Sequence, residues 1–177
     1  IGVRKAVAYS QFSYLKPHLR GVKLLEIGPG EGFVLELFEK NGFDVLGIEP
    51  SKDNQSIINK KLKNGKSQIG FVENLPTFDK KFDIIIMSHV LEHVIDCRAV
   101  LYNLQNTLTK NGIIFIEVPN CENKKIMTHS INMQPHIHHF TKKSLETLVK
   151  KTNFTIIRND LIDSDINSNF DRFKYFL

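Results

Sequence analysis

The feature that most constrains the fold of this chain is an alternation of short apolar runs with longer amphipathic runs. The short runs share a richness in β-branched and aromatic residues and predict strands at 23–28, 43–49, 68–72, 82–88, 112–118 and 154–161. The longer runs have helical spacing and predict helices at 3–19, 31–41, 51–64, 96–109 and 141–152. Strands that alternate with helices indicate βαβ units. The sequence therefore predicts an α/β fold with a doubly wound, mostly parallel, Rossmann-like sheet.

Two predicted strands are apolar on both faces, namely IIIM at 84–87 and IIFI at 113–116. This pattern is typical of central parallel strands that helices cover on both sides. The C-terminal stretch FDRFKYFL at 170–177 alternates instead between apolar and polar residues. We predict that it forms an antiparallel closing strand beside the run at 154–161.

The chain has 177 residues, of which 41% are hydrophobic, so it can bury the core of one domain. We predict a single domain over 1–177. Because the first residue is Ile1 rather than Met, we expect the native chain to be longer. Residues 119–140 have no clear period and contain four of the seven histidines, and a loop of that length is typical of a lid over a binding site.

Cysteine occurs only at Cys97 and Cys121, which excludes a disulfide framework and a four-cysteine zinc site and indicates a cytoplasmic protein. No apolar run is long enough to span a membrane, and no signal peptide is recognisable. The net charge of +5 comes from lysines spread along the chain rather than from one basic patch. We therefore expect no nucleic-acid partner.

A glycine-rich loop follows the first predicted strand, in LLEIGPGEG at 24–32. Gly28, Gly30 and Gly32 occupy alternate positions, whereas the dinucleotide fingerprint has the spacing G-x-G-x-x-G. Glu26 ends the strand and Glu31 lies in the first predicted turn of the helix, where carboxylates would repel a pyrophosphate. The loop therefore favours a cationic nucleoside without phosphate, and S-adenosylmethionine has this character.

One acid, Glu49, ends the second predicted strand in the sequence IEPS. The carboxyl ends of parallel strands meet at one edge of an open sheet, where ligands bind. We expect Glu49 to face the same crevice as the glycine loop and to accept hydrogen bonds from ribose hydroxyls, since bonds to a charged acceptor are the stronger kind.

Five blocks occur in order and with regular spacing between roughly Val22 and Ile157: LLEIGPGEG, IEPS, ENLP before FDIIIMSHVLEHV, LTKNGIIFIEVPN, and HHFTKKSLETLVKKTNF. In these blocks the chain resembles the class I S-adenosylmethionine-dependent methyltransferases. Within that family it is similar to the small-molecule branch of ubiquinone-biosynthesis and glycan-cluster methyltransferases.

The resemblance implies a set of cofactor-binding residues. The methionine part of the donor would contact Glu26, Gly28, Gly30 and Gly32, and the ribose would contact Glu49. The adenine edge would meet Glu73 and Asn74, and the floor near the sulfonium would be Ser88 and His89. Phe71 stands where many relatives carry an acid for the adenine amino group, which leaves that contact to Glu73 or to backbone amides.

The histidines offer alternatives to this interpretation. His89 to His93 match the H-x-x-E-H pattern of inverted zinc proteases, but the methyltransferase blocks already explain them, and we expect Glu92 and His93 to hold the turn by local hydrogen bonds. No metal is predicted, because Glu122 is the only acid beside the histidines of the 119–140 loop. Imidazole titrates near neutral pH, so His138 and His139 are the candidate bases for a hydroxyl acceptor.

The sequence thus predicts an S-adenosylmethionine-dependent methyltransferase that acts on a small molecule, at an oxygen of a sugar, quinone or other metabolite. Transfer to nitrogen or carbon stays open, as does a methyltransferase-like domain that binds a partner without catalysis. A nicotinamide-dependent oxidoreductase is disfavoured by the glycine spacing. A nucleic-acid methyltransferase is disfavoured because Met87 to Val90 replace the Asn/Asp-Pro-Pro-aromatic motif, and Cys121 lacks the Pro-Cys pair of the pyrimidine enzymes.

Overall fold

The helices and strands alternate along the chain, and a computed structural model describes residues 2–132, 136–162 and 172–176. The strands of this part of the chain are β1 Lys23–Ile27, β2 Asp44–Glu49, β3 Lys66–Ile69, β4 Phe82–Ser88, β5 Leu108–Pro119, β6 Arg158–Ile162 and β7 Arg172–Phe176. The helices are α1 Gly2–Leu15, α2 Phe33–Lys40, α3 Lys52–Lys61, α4 Cys97–Gln105, α5 Lys124–Asn132 and α6 Lys142–Lys150. The predicted alternation of strands and helices is confirmed.

The strands form one sheet in the order β3-β2-β1-β4-β5-β7-β6. β2 pairs in parallel with both β1 and β3, as expected when helices connect successive strands. β7 runs antiparallel to β5 on one side and to β6 on the other. The C-terminal strand therefore lies inside the sheet, and β6 occupies the edge that we had expected β7 to close.

The chain divides into two compact units. The first unit comprises Ile1–Ile86 and Thr107–Ile113, and the second comprises Met87–Asn106 and Ile114–Leu177. The glycine loop and Glu49 belong to the first unit, whereas His89 and the histidines after α5 belong to the second. The single domain over 1–177 stays a prediction.

An aromatic cluster centred on Phe38 holds the helices of the first unit in place. Phe38 is fully buried, and its ring makes edge-to-face contacts with Phe12 at 4.9 Å and with Phe43 at 5.0 Å between centroids. These contacts join α2 to α1 and to the start of β2. The C-terminal half of α2 is thereby fixed against α1 and the start of β2.

The two apolar strand segments are buried as predicted. Ile84, Ile85, Ile86 and Met87 of β4 have no exposed surface, and the same holds for Ile114, Phe115 and Ile116 of β5. A strand that is buried on both faces cannot alternate polar with apolar residues, which explains the continuous apolar runs in the sequence.

The segment 119–140, predicted as a lid-like loop without a period, contains the helix α5. Ile126 and Ser130, four residues apart, are the buried residues of this helix. Because one of these two buried positions carries a polar side chain, a search for hydrophobic residues at helical spacing does not detect this helix. The role of the segment as a lid stays a prediction.

Within the described ranges, no helix combines the length and the apolar composition required to cross a membrane.

Candidate cofactor site and polar cluster

The loop between β1 and α2 is built on left-handed backbone. Gly28, Gly30 and Gly32 have φ angles of 66°, 56° and 73°, a region that costs other L-residues energy. The Gly28 amide donates to the Ile48 carbonyl at 2.9 Å, which ties the start of the loop to β2. Alternate glycines thus produce a loop whose backbone curls over the end of β2.

Gly30 and Gly32 differ in what a side chain would meet. A Cβ atom at Gly32 would lie 2.8 Å from Cγ1 of Ile58 on α3, so this glycine lets α3 pack close to the loop. A Cβ atom at Gly30 would meet nothing within 4 Å. The space beside Gly30 is therefore open to a ligand, as the assignment of Gly30 to the cofactor requires.

Glu49 connects the loop to the end of β2. Its carboxylate accepts the Gly30 amide at 3.0 Å through Oε2 and the Ser51 amide at 2.9 Å through Oε1. Only 4% of Glu49 is exposed, so its position is set by these bonds. Oε1 also accepts from the Asn54 side-chain amide at 3.4 Å. A carboxylate oxygen has two lone pairs, so Oε2 keeps one that a ribose hydroxyl can use.

Glu26 is buried beneath the same loop, with 4% of its surface exposed. Burial raises the pKa of its carboxyl to about 8; a hydrogen bond from the Leu35 amide opposes this shift, and the charge of Glu49 adds to it. Its Oε2 atom has no hydrogen-bond partner among the described residues. Glu26 is therefore mostly protonated at neutral pH while no cationic group lies next to it.

The structure corrects the electrostatic argument for Glu31. This residue precedes α2, which begins at Phe33, and its carboxylate forms an ion pair with Arg4. The Lys61 ammonium donates to the Glu31 carbonyl at 2.6 Å. With Glu31 neutralised by Arg4, the acids that face the loop are Glu26 and Glu49.

Glu73 and Asn74 lie in a short 3-10 turn, Val72–Asn74, that follows β3, and both are exposed. Phe71, at the start of this turn, is 59% exposed. The Gly70 amide donates to the Glu49 carbonyl at 3.3 Å, so the turn begins next to the end of β2. The assignment of Glu73 and Asn74 to the adenine edge stays a prediction.

In the second unit, Ser88 ends β4 and His89 follows it with a φ of 54°, the one positive φ among the described non-glycine residues. Such a conformation is strained in a residue with a side chain and persists where surrounding contacts enforce it. The His89 amide donates to the Glu117 carbonyl at 2.9 Å. The assignment of Ser88 and His89 to the cofactor stays a prediction.

The His89 ring lies between two buried acids. Its Nδ1 atom is 3.1 Å from Oε1 of Glu92, and its Nε2 atom is 3.8 Å from Oε1 of Glu117. The prediction that Glu92 holds the turn after β4 is confirmed by the first of these contacts. The His93 amide closes the same turn by donating to the Val90 carbonyl at 2.9 Å.

The two candidate bases have different surroundings. Nε2 of His138 lies 2.8 Å from the Val94 carbonyl, which can only accept, so this nitrogen carries a hydrogen. His139 contacts the Ser130 hydroxyl through Nδ1 at 2.9 Å. His138 is thus an anchor of its segment, whereas Nε2 of His139 can accept a proton when Nδ1 carries the hydrogen.

Reasoning from the sequence missed the polar cluster formed by Glu92, His93, Ser130 and His136. Ser130 and His136 lie in a segment without a period, and Glu92 was assigned only a local role. The ring of His136 contacts His93 edge to face at a centroid distance of 4.6 Å, and burial lowers the pKa of His136. Glu117, an acid inside the apolar strand β5, was the one sequence signal of a buried polar centre.

Comparison with known proteins gives a consistent family. Residues 5–159 match the family described as "Methyltransferase domain". The ubiquinone biosynthesis O-methyltransferase of Pelagibacter ubique is 35% identical over 105 residues, which are 58% of this chain and 44% of that protein. The chain thus matches less than half the length of this relative.

Two solved structures share the fold. A SAM-dependent methyltransferase from Archaeoglobus fulgidus superposes with a TM-score of 0.79 at 17% identity, covering 97% of this chain and 93% of that one. The magnesium protoporphyrin IX methyltransferase of Synechocystis PCC 6803, solved with bound SAH, has a TM-score of 0.75 at 14% identity, covering 98% and 82%. At these identities the similarity establishes the fold.

Proposed function

The chain belongs to the class I S-adenosylmethionine-dependent methyltransferases, and from this premise we propose that it binds S-adenosylmethionine and transfers the methyl group to an oxygen of a small-molecule acceptor. The observation that carries the proposal is the open space beside Gly30, whose amide is held by Glu49. A backbone without a side chain at that position lets a ligand approach closely, and the carboxylate at its edge suits ribose hydroxyls.

The charge of the first unit supports a cationic donor. Glu26 and Glu49 are both buried, and Oε2 of Glu26 lacks a hydrogen-bond partner in the described part of the chain. The ammonium and sulfonium groups of S-adenosylmethionine would favour the ionised form of Glu26 and compensate its burial. A pyrophosphate would instead be repelled by the Glu49 carboxylate and would keep Glu26 in its protonated form.

An oxygen acceptor is supported by the relatives, several of which are named ubiquinone biosynthesis O-methyltransferases. Methyl transfer to a hydroxyl requires removal of its proton as the oxygen attacks the methyl carbon. We assign this role to His139, because His138 is committed through Nε2 to the Val94 carbonyl. The main contribution to catalysis in this scheme is alignment of the acceptor oxygen with the methyl carbon, which can supply roughly 7 to 11 kcal/mol.

The partner in this proposal is a small-molecule acceptor; no nucleic-acid partner is included. A cytoplasmic location stays a prediction that rests on the use of cysteine.

The test is a turnover assay with S-adenosylmethionine carrying an isotopically labelled methyl group and a panel of phenols, sugars and amines. The proposal expects the label on an oxygen of one acceptor class, together with formation of S-adenosylhomocysteine. Label on nitrogen or carbon would reject the oxygen assignment. Binding of the donor with no transfer to any acceptor would favour a domain that binds without catalysis.

His139→Asn and His138→Asn serve as a matched pair in this assay. General-base catalysis contributes a factor of about 10² to 10⁴, so His139→Asn should lower turnover by roughly that factor while the affinity for S-adenosylhomocysteine stays unchanged. His138→Asn should retain most of the turnover. The reverse ranking would assign the base to His138.

A further inference from the structure

The second unit contains three possible metal ligands that lie close in space: two neighbouring residues, Glu92 and His93, and the distant His136. Glu92, His93 and His136 each offer one ligand atom, and these atoms all lie within 4.8 Å of one another. We propose that these three residues bind a divalent transition-metal ion, with zinc as the best fit. This inference goes beyond methyl transfer, and its test does not depend on that activity.

The carboxylate of Glu92 is the strongest argument for a cation. Glu92 is 1% exposed, and although His89 contacts its Oε1 atom at 3.1 Å, its Oε2 atom is buried and has no hydrogen-bond partner among the described residues. Leaving a buried charged oxygen without a partner costs free energy. A metal ion bound to Oε2 would remove this cost.

The backbone places His136 next to this carboxylate. The Glu92 carbonyl accepts the amides of Ile137 at 2.9 Å and of His138 at 3.0 Å, and the His138 ring binds the Val94 carbonyl at 2.8 Å. The segment that carries His136 is therefore fastened by two hydrogen bonds to the 3-10 turn Leu91–His93 and by a third to Val94, the residue that follows this turn. Glu92 and His93 come from that turn, so the three ligands share one local framework.

The remaining nitrogen of His136 has the partner expected in a metal site. Ser130, which is 2% exposed, places its hydroxyl 2.9 Å from Nδ1 of His136 and 2.9 Å from Nδ1 of His139. Histidines that bind metals commonly form a hydrogen bond through the other ring nitrogen, which fixes the orientation of the ring. Ser130 therefore leaves Nε2 of His136 to point at the ion.

Two imidazoles and one carboxylate select the metal. Three protein ligands with an open fourth position are typical of zinc sites that act on a bound oxygen, whereas magnesium prefers oxygen ligands alone. Zinc bonds of about 2.0 to 2.2 Å require the ligand atoms to approach to roughly 3.3 Å from one another. The three ligand atoms lie within 4.8 Å of one another in this structure. Small side-chain rotations would bring them to the distance that zinc requires.

The test is titration of the purified protein, freed of metal by chelation, with zinc and with cobalt(II), in the absence of donor and acceptor. We expect one equivalent to bind, with calorimetry for zinc and the visible absorption of tetrahedral cobalt as readouts. Magnesium should not displace cobalt. Bound zinc should also raise the melting temperature, because it binds the folded state.

The variants Glu92→Gln and His136→Asn should each raise the dissociation constant of zinc at least about tenfold. His129→Asn is the matched control, since His129 lies on the exposed side of α5 and outside the cluster. Circular dichroism checks that the variants fold, and the conservative change at Glu92 keeps its shape. Two results would overturn the inference: no saturable binding of zinc at one equivalent, or binding that neither His136→Asn nor Glu92→Gln weakens. Either result would leave the proposed methyl transfer untouched.

Discussion

Glu26 shows how one buried side chain links the cofactor site to pH. Its carboxyl has a pKa raised to about 8 by burial, against an ordinary value of 4.5. An acid whose pKa is raised in the folded state contributes its full stability below the unfolded pKa, and this contribution is lost as the pH rises to the folded value. The free energy of unfolding of the ligand-free protein should therefore fall between pH 4.5 and about pH 8 on account of this residue.

The prediction is tested with Glu26→Gln, which cannot ionise. Each unit of pKa elevation corresponds to about 1.4 kcal/mol, so raising the pH from 5 to 8 should stabilise the variant relative to the wild type by a few kcal/mol. Urea unfolding at both pH values measures the difference. Unfolding free energies that change in parallel with pH would contradict the protonated state of Glu26.

Gly30 and Gly32 should respond differently to alanine. Both have positive φ, which costs about 1 to 2 kcal/mol for a residue with a Cβ atom. Gly32→Ala also forces a contact with Ile58 and should lose a further 1 to 3 kcal/mol, roughly, from overpacking. Urea unfolding should thus show that Gly32→Ala is less stable than Gly30→Ala. Equal losses of unfolding free energy in the two variants would show that α3 moves away from the new methyl group at no cost.

At the residue scale the sequence predicted the parts of the site that follow from local spacing. Alternate glycines and an acid at the end of β2 were sufficient to bring Gly30 and Glu49 together. The charge of Glu31 was misjudged, because its partner Arg4 lies 27 positions earlier on α1. Pairing between distant surface charges depends on helix packing, which the local sequence does not contain.

The helix α6 depends on a reciprocal cap at its first turn. The Thr141 hydroxyl accepts the Ser144 amide at 3.1 Å, and the Ser144 hydroxyl accepts the Thr141 amide at 2.9 Å. Thr141→Ala should lower the free energy of unfolding by about 1 kcal/mol, because the amide of Ser144 loses its acceptor. Thr141→Ser keeps a hydroxyl at this position and should therefore unfold with a free energy close to that of the wild type. Urea unfolding of both variants checks this, and failure of serine to substitute for threonine would count against a capping role.

The elements were predicted more securely than their ends. β4 was placed correctly because both of its faces are apolar, but β3 begins at Lys66 rather than at the predicted 68, since it is short and only Ser67 of its residues is buried. β5 starts at Leu108, four residues before the predicted 112, because polar residues continue the strand there. Helix α5 escaped prediction because one of its two buried residues is Ser130.

At the scale of the whole molecule, the order of elements was sufficient to identify the family. The predicted class I methyltransferase, with its donor S-adenosylmethionine and its Rossmann-like sheet, is confirmed by the family match over residues 5–159 and by the structural neighbours. The cluster of Glu92, His93 and His136 was out of reach, because it depends on how the segment after α5 returns to the turn after β4.

The central claim is that the glycine loop binds S-adenosylmethionine, and calorimetric titration with S-adenosylhomocysteine tests it most directly. Gly42→Ala is the matched control for Gly30→Ala, since both glycines have positive φ and open space at Cβ, but Gly42 lies in the turn after α2. The account predicts that the wild type and Gly42→Ala bind alike, and that Gly30→Ala binds at least about tenfold more weakly, a loss of about 1.4 kcal/mol. Equal affinity of all three proteins, or binding of NADH in place of S-adenosylhomocysteine, would contradict it.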